Sequence, residues 1–498
     1  GLGSQQLAEF SPDGKKVAFV RENNLFYVDL ESGKEIQITF DGSRNEIING
    51  APDWVYEEEF SFSKGFYWSP SSDRIAFYRF DERRVKEFNM TMYGDLYPEW
   101  YSFKYPKAGE ENSIVTIKVY HLNKKKTINI DIGPEEDQYI PRIKWTFNND
   151  ILSILRLNRL QNHIEVLLGD AQTGNSSIVY QEEDEKYISE VTDHFITFTN
   201  DNQHFMVMSE KSGYMHLYLH DINGNELHPI TSGSFDIAEF IGYDHGSETV
   251  YFRSHERSVL QTDVYRIKLS GKGKRRISEQ AGTNEAKFST GFKYFINEYS
   301  NANSPKRITL RNNNGRLIRV LEDNTEVQQQ MKKHGFSKKE FITVPVNGVE
   351  LNAWMIKPPD FNPDEKYPLF MFVYGGPESQ DVVDEYVSSH AWYQMLAQQG
   401  YIVACVDNRG TDGRGEAFKK ATYMQLGKLE TEDQVASAKY FGSLPYINEE
   451  RIGIFGWSYG GFMSLLCMTK GTEVFKMGIS VAPVTNWRYY DTIYTERY

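Results

Sequence analysis

Ile452-Gly453-Ile454-Phe455-Gly456-Trp457-Ser458-Tyr459-Gly460-Gly461-Phe462-Met463-Ser464-Leu465-Leu466-Cys467-Met468 is the stretch that decides the reading of this chain. Residues 452–455 form a continuous apolar run that ends in glycine, and residues 462–468 read as helix. Between them, Gly456-Trp457-Ser458-Tyr459-Gly460 matches G-x-S-x-G. A serine displayed on a tight strand-to-helix turn needs small neighbours two residues away, because the two backbones must pass each other closely. The pentapeptide alone is weak evidence. Placed after an apolar strand and before a helix, it marks Ser458 as a nucleophile.

The surrounding residues repeat that alternation. Residues 341–344 and 351–356 read as a hairpin turning at Asn347-Gly348. Residues 367–374 are continuously apolar, 391–398 are helix-like, and 401–406 form a second apolar run. Thr431 with Gln434 suggests a capping box for a helix running through Phe441. Apolar strands alternating with helices predict a parallel sheet covered on both faces.

Before about residue 333 the pattern is different. Ser11-Pro12-Asp13-Gly14 leads into strand-like residues 17–20 and 25–30, a turn at Ser32-Gly33, and residues 36–39. Trp68-Ser69-Pro70, Trp145-Thr146-Phe147 and Phe198-Thr199-Asn200 open similar units, the last running through residues 205–208, 216–220 and 230–231. Weaker copies pair residues 249–252 with 264–267, and 294–296 with 308–310. Strand-rich repeats with turn punctuation predict propeller blades, each too thin to bury both faces without its neighbours. A pair of irregular β-sandwiches is the alternative. The expected division is a β-propeller over residues 1–333 and an α/β-hydrolase over 334–498, the first lacking blades at its start and the second lacking its end.

Composition supports large cores and excludes several partners. Apolar residues make up 40% of the 498, with 32 Tyr and 31 Phe, types that favour strands. A net charge of −14 repels phosphate backbones and anionic lipid, so nucleic acid is not an expected partner. Lys124–Lys126 and residues 272–276 read as solvated hairpin turns. The two cysteines, Cys405 and Cys467, give no disulfide framework, and no metal-ligand spacing is present. No apolar run reaches the ~18 residues of a membrane span. The chain opens without Met, so its start reads as cut.

Serine attack on an amide needs a base, and α/β-hydrolases order their triad as Ser, then Asp or Glu, then His. After Ser458 the sequence holds one Asp, Asp491, and no His. Ten of the eleven histidines precede residue 335, and His390 also precedes the serine. The expectation is an incomplete triad, with its Asp and His beyond Tyr498, and a fragment inactive by itself.

Four segments resemble the dipeptidyl peptidase IV family of serine peptidases. They are Asp53-Trp54-Val55-Tyr56-Glu57-Glu58-Glu59, Val373-Tyr374-Gly375-Gly376-Pro377, the Ser458 motif, and Val481-Ala482-Pro483-Val484-Thr485-Asn486-Trp487-Arg488-Tyr489-Tyr490-Asp491-Thr492-Ile493-Tyr494-Thr495-Glu496-Arg497-Tyr498. The resemblance implies an eight-bladed propeller joined to an α/β-hydrolase, with an active site in the cavity between them. It implies no cofactor and no metal. It implies release of N-terminal Xaa-Pro, or less readily Xaa-Ala, dipeptides from peptides with a free amino terminus. It also implies a homodimer when complete, and a periplasmic or secreted location.

Carried over by motif, Ser458 is the nucleophile, and Tyr374 with the backbone N–H of Tyr459 stabilises the oxyanion. Trp487, Val484, Tyr490, Tyr494 and Tyr459 line the proline pocket, and Glu58 and Glu59 bind the substrate amine. Aromatic walls suit a flat apolar ring, because they add contact area with few rotors to freeze. For the glutamates, spacing leaves the choice open. On a strand Glu57 and Glu59 share a face, whereas a short helical turn brings Glu58 and Glu59 to one side. The family's substrate-anchoring arginine has no counterpart here, since Arg21 sits in no matching motif. The alternatives are a tripeptidyl, acylaminoacyl or oligopeptidase relative, or a non-catalytic peptide-binding propeller.

Overall fold

The structure, a computed structural model, describes residues 3–278 and 280–498. Among the described residues its strand-rich part forms five four-stranded sheets, one five-stranded sheet and one two-stranded hairpin, antiparallel wherever strands pair. The first blade shows how sequence makes one. Ser11 Oγ donates to Asp13 at 2.6 Å and the Gly14 N–H donates to Ser11 O at 2.8 Å, closing the turn. Gly14 takes φ +69°, where a side chain is strained. Lys16–Arg21 then pairs with Asn24–Asp29, and that strand with Glu35–Gln37.

Of the basic clusters, Lys124, Lys125 and residues 272–274 fall in turns as expected, whereas Lys126 opens the strand Lys126–Ile130 and Arg275–Arg276 is itself a short strand paired with Asp263–Lys268. Residues 230–231, read as strand from sequence, lie just past the strand Glu226–Pro229. Ile230 and Thr231 are buried there, and the Thr231 hydroxyl accepts the Leu217 N–H at 3.1 Å.

By contacts the chain forms two compact units. One holds Gly1–Val207, His220–Glu226 and Asn486–Arg497; the other holds Met208–Leu219, Leu227–Thr485 and Tyr498. In the first, a continuous core runs from Tyr56, Tyr78 and Ile117 through Ile154 and Val166 to Phe205, crossing several sheets. Blades that bury each other's faces have this kind of core.

In the second unit, six strands form a mixed sheet in the order Lys339–Val346, Val349–Ile356, Ile402–Val406, Tyr367–Phe372, Ile447–Trp457 and Phe475–Val481. The first two form the hairpin with Asn347 at φ 51° and Gly348 at φ 76°, the left-handed pair that a tight hairpin turn requires. Val349–Ile356 is antiparallel to Ile402–Val406, and the remaining pairs are parallel. The helix Ala391–Gln398 covers Phe370, Val403 and Cys405 on one face.

One helix start needs correction. The helix is Leu429–Gly442, so Thr431 and Gln434 lie inside it and form no capping box. Their side chains have other partners. Thr431 Oγ1 donates to Gly427 O at 2.5 Å, and Gln434 Nε2 donates to Val406 O at 2.9 Å and Asn408 Oδ1 at 3.0 Å. Glu430, in the first turn, accepts the N–H of Gly427 in the preceding loop at 3.0 Å.

Candidate active site

Ser458 joins the strand Ile447–Trp457 to the helix Tyr459–Lys470 with φ 58° and ψ −117°. Its N–H donates to Val481 O at 2.9 Å, and its carbonyl accepts the Phe462 N–H at 3.1 Å. Such dihedrals are strained for any residue with a Cβ and persist only when the surroundings hold them. The flanking glycines are what the surroundings demand. A Cβ on Gly456 would sit 2.2 Å from Gly460 O, and one on Gly460 would sit 2.1 Å from Val373 O. On Gly461 it would meet Val481 O at 2.6 Å. The turn leaves Ser458 half-buried beside an exposed Trp457.

Tyr374 lies against this turn, its Cα 3.1 Å from where a Cβ on Gly460 would be. The last rung before it is the Val373 N–H donating to Phe455 O at 2.9 Å. Gly375 follows at φ +71°, where a Cβ would strike Asn408 Oδ1 at 2.4 Å. Asn408 in turn donates through Nδ2 to Gly375 O at 3.0 Å. The Tyr459 hydroxyl is used inside the fold, donating to Glu430 Oε1 at 2.7 Å, while its ring lies 5.9 Å from that of Tyr374. Val484 is half-buried just after the strand Phe475–Val481. Asn408, Gln434 and Glu430 support these loops; Asn408 and Glu430 were not picked out from sequence, and Gln434 was read there only as a capping residue. For Asn408 a signal existed: it stands two residues past the end of a buried strand, where active-site loops emerge.

The other residues of interest lie in the first unit. Asp53 caps the helix Trp54–Glu59, accepting the Tyr56 N–H at 3.0 Å and the Ser113 hydroxyl at 2.6 Å. The open choice at the glutamates is thereby decided as helix. Glu58 is exposed and Glu59 half-buried. Glu59 lies against Asp491, and burial together with the Asp491 charge holds its carboxyl well above the usual range. Asp491 is itself fully buried and caps the helix Thr492–Arg497, accepting the Tyr494 N–H at 2.9 Å. Gln161 ties the same helix down, donating to Ile493 O at 2.6 Å and accepting from Arg497 Nε at 2.8 Å. Trp487, Tyr490 and Tyr494 form a half-buried trio. Trp487 stacks on Tyr494 at 5.7 Å, and Tyr490 stands edge-on to both.

The buried cap makes a pH prediction. Burial, opposed by its two hydrogen bonds, raises the Asp53 carboxyl to about 6. A raised carboxyl favours the folded state in its protonated form, so its contribution is full below about pH 4 and is lost as pH rises through 6. In Asp53→Asn, the fall in melting temperature between pH 4 and 6 should be shallower than in the wild type. Asp53→Ala should cost about 1–2 kcal/mol through the lost cap. Equal slopes in wild type and Asp53→Asn would show that Asp53 does not titrate in this window.

Blade-like antiparallel sheets followed by a mixed α/β sheet with a strained serine elbow define a β-propeller joined to an α/β-hydrolase. Comparison with known proteins agrees. Residues 2–306 match the dipeptidyl peptidase IV N-terminal region, and residues 387–498 match the prolyl oligopeptidase family. The crystal structure of Porphyromonas gingivalis dipeptidyl peptidase 4 superposes with a TM-score of 0.96 at 43% identity, covering 100% of this chain and 70% of that one. A Podospora anserina protein named "Probable dipeptidyl-aminopeptidase B" is 34% identical over 99% of this chain and 56% of its own length. An Aspergillus flavus protein named "Probable dipeptidyl peptidase 4" is 30% identical over 100% of this chain and 66% of its own length. The chain belongs to the dipeptidyl peptidase IV family. It spans a little over half the length of the first of these curated relatives. Among the described residues, no helix is long and apolar enough to cross a membrane.

Proposed function

We propose that the protein is a serine dipeptidyl peptidase that releases N-terminal Xaa-Pro, and less readily Xaa-Ala, dipeptides. The observation that carries this is Ser458 held at φ 58° between glycines that cannot accept a Cβ. Strain of that kind at a strand–helix turn supports nucleophilic use of the hydroxyl. Ser458 Oγ attacks the scissile carbonyl. The negative charge that develops on the carbonyl oxygen is met by the Tyr374 hydroxyl and the Tyr459 N–H, worth about 3 kcal/mol for each fixed donor.

Trp487, Tyr490 and Tyr494, with Val484 and the Tyr459 ring, take the proline ring. Glu58 and Glu59 take the substrate ammonium. The propeller and hydrolase domains divide near residue 333. A homodimer goes with this reading, supported by the hairpin Glu87–Met92 and Glu99–Lys104, which exposes Leu96 at 90% and Trp100 at 69%. The 498-residue chain carries no histidine after Ser458, and by itself it gives no turnover.

The test is hydrolysis of an Xaa-Pro amide by the full-length gene product, with a free or an acetylated amino terminus. Only the free form should be cleaved. Glu58→Ala or Glu59→Ala should raise KM about 10- to 100-fold, the loss of one charge-assisted hydrogen bond. Unchanged kinetics in both variants would remove the amine-anchor role. Equal cleavage of the acetylated substrate would point to an acylaminoacyl or endopeptidase relative.

A further inference from the structure

The parallel strands Ile402–Val406, Tyr367–Phe372 and Ile447–Trp457 lie side by side, so the loops that leave their carboxyl ends are neighbours. Tyr374 and Ser458 stand at two of those ends, and Asn408 stands at the third. In open α/β sheets the carboxyl ends of the strands carry the ligand sites. Asn408 is fully buried. Its Nδ2 donates to Gly375 O at 3.0 Å and to Arg409 O at 2.8 Å, and its Oδ1 accepts Gln434 Nε2 at 3.0 Å. Gln434 Nε2 also donates to Val406 O at 2.9 Å, which fixes the orientation of that amide. The Asn408 carboxamide is fixed in turn. Turned over, it would set its Nδ2 against the Gln434 donor and leave the Gly375 carbonyl facing an oxygen.

The Tyr374 loop is shaped to receive this side chain. Gly375 takes φ +71°, and a Cβ there would strike Asn408 Oδ1 at 2.4 Å, so the carboxamide presses directly on main chain. The Tyr374 ring leans on the next residue, since a Cβ on Gly376 would lie 3.0 Å from Tyr374 Cε1. Ser379 Oγ donates to Gly376 O at 2.6 Å. Two main-chain bonds close the loops on each other, from the Glu378 N–H to Gly410 O at 3.3 Å and from the Asp412 N–H to Ser379 O at 2.9 Å. The Asn408 loop is itself anchored to the helix Leu429–Gly442, where Arg409 Nη2 and Nε donate to the two oxygens of the buried Asp433 at 2.7 and 2.9 Å. Asn408 therefore ties the residue after Tyr374 to a loop that is held from both sides.

We infer that Asn408 is a positioning residue for the hydrolysis, its carboxamide holding Gly375 and through it the Tyr374 side chain beside the Ser458 turn. The inference rests on the reading of Tyr374 as oxyanion donor. It is tested in the full-length protein by steady-state kinetics on the Xaa-Pro amide, with kcat counted per Ser458 labelled to completion by a serine-directed phosphonate. Asn408→Ala should lower kcat about tenfold with KM within about twofold, because a displaced donor is missed in the transition state and not in the bound substrate. Asn408→Asp keeps the oxygen that accepts Gln434 and turns an acceptor on Gly375 O, so it should lose at least as much. In a Tyr374→Phe background, Asn408→Ala should cost less than about twofold more, because the hydroxyl being positioned is already gone.

Wild-type kcat in Asn408→Ala, even with a lower melting temperature, makes the role of Asn408 structural and overturns the inference. Full multiplication of the two losses overturns it as well. Should Asn408→Ala fail to fold, Asn408→Asp is judged by the same cycle and the same criteria. A wild type that cleaves no such amide, or a Tyr374→Phe variant with wild-type kcat, brings down the functional reading and this inference together. A slowed Tyr374→Phe with a multiplicative cycle brings down this inference alone.

Discussion

Ser458→Gly is expected to abolish turnover in the full-length protein while making the protein more stable. The loss of the hydroxyl should cost about 10⁴- to 10⁶-fold in kcat, as for other serine nucleophiles removed from an intact site. The stability gain comes from the backbone. At φ 58° and ψ −117° a residue with a Cβ is strained by about 1–3 kcal/mol, and glycine is not. Melting temperature should rise by about 2–4 °C for each kcal/mol released in a domain of this size. Ser458→Ala is the control, since it removes the hydroxyl and keeps the Cβ. It should be equally inactive and melt like the wild type. If the two variants melt at the same temperature, the turn is not strained and the reading of Ser458 as a held nucleophile loses its main support.

Gly460→Ala is expected to have the opposite effect on folding. The added Cβ would lie 2.1 Å from Val373 O and 3.1 Å from Tyr374 Cα, both main-chain atoms that cannot swing aside. Overpacking against backbone should cost at least about 3 kcal/mol, and the strand end that carries Tyr374 must move away from Ser458. The expected readout is a melting temperature lower by several degrees, or loss of soluble protein, together with loss of labelling by a serine-directed phosphonate. Gly291→Ala, where a Cβ would meet nothing within 4 Å, should stay within about 0.5 kcal/mol of wild type. Similar melting of both alanine variants would mean that the elbow has slack and that its glycines are not required by contact.

Features set by neighbours in the chain were legible before any coordinates. The Asn347-Gly348 turn, the helix Ala391–Gln398 and the strand–serine–helix order around Ser458 each rest on turn chemistry or on period-2 and period-3.6 patterns. The capping box at Thr431 and Gln434 failed for the complementary reason. Both side chains had tertiary partners, at Gly427 and at Val406 with Asn408, that no local pattern announces. Spacing also left the Glu57-Glu58-Glu59 triplet undecided between strand and helix. A buried Asp53 bonded to Ser113, sixty residues away, settled it.

The sequence alone thus determined the two kinds of architecture, the strand–serine–helix turn at Ser458 and the family, because each is written in short stretches whose spacing has one physical meaning. The tertiary structure alone placed Asn486–Arg497 in one compact unit with the helix Trp54–Glu59, set Asp491 against Glu59, and seated the Asp381 and Val382 N–H groups on the Asp407 carboxylate. Those partners are far apart in sequence or spaced without a period. They are chosen by which buried polar groups must find one another once the apolar faces have closed.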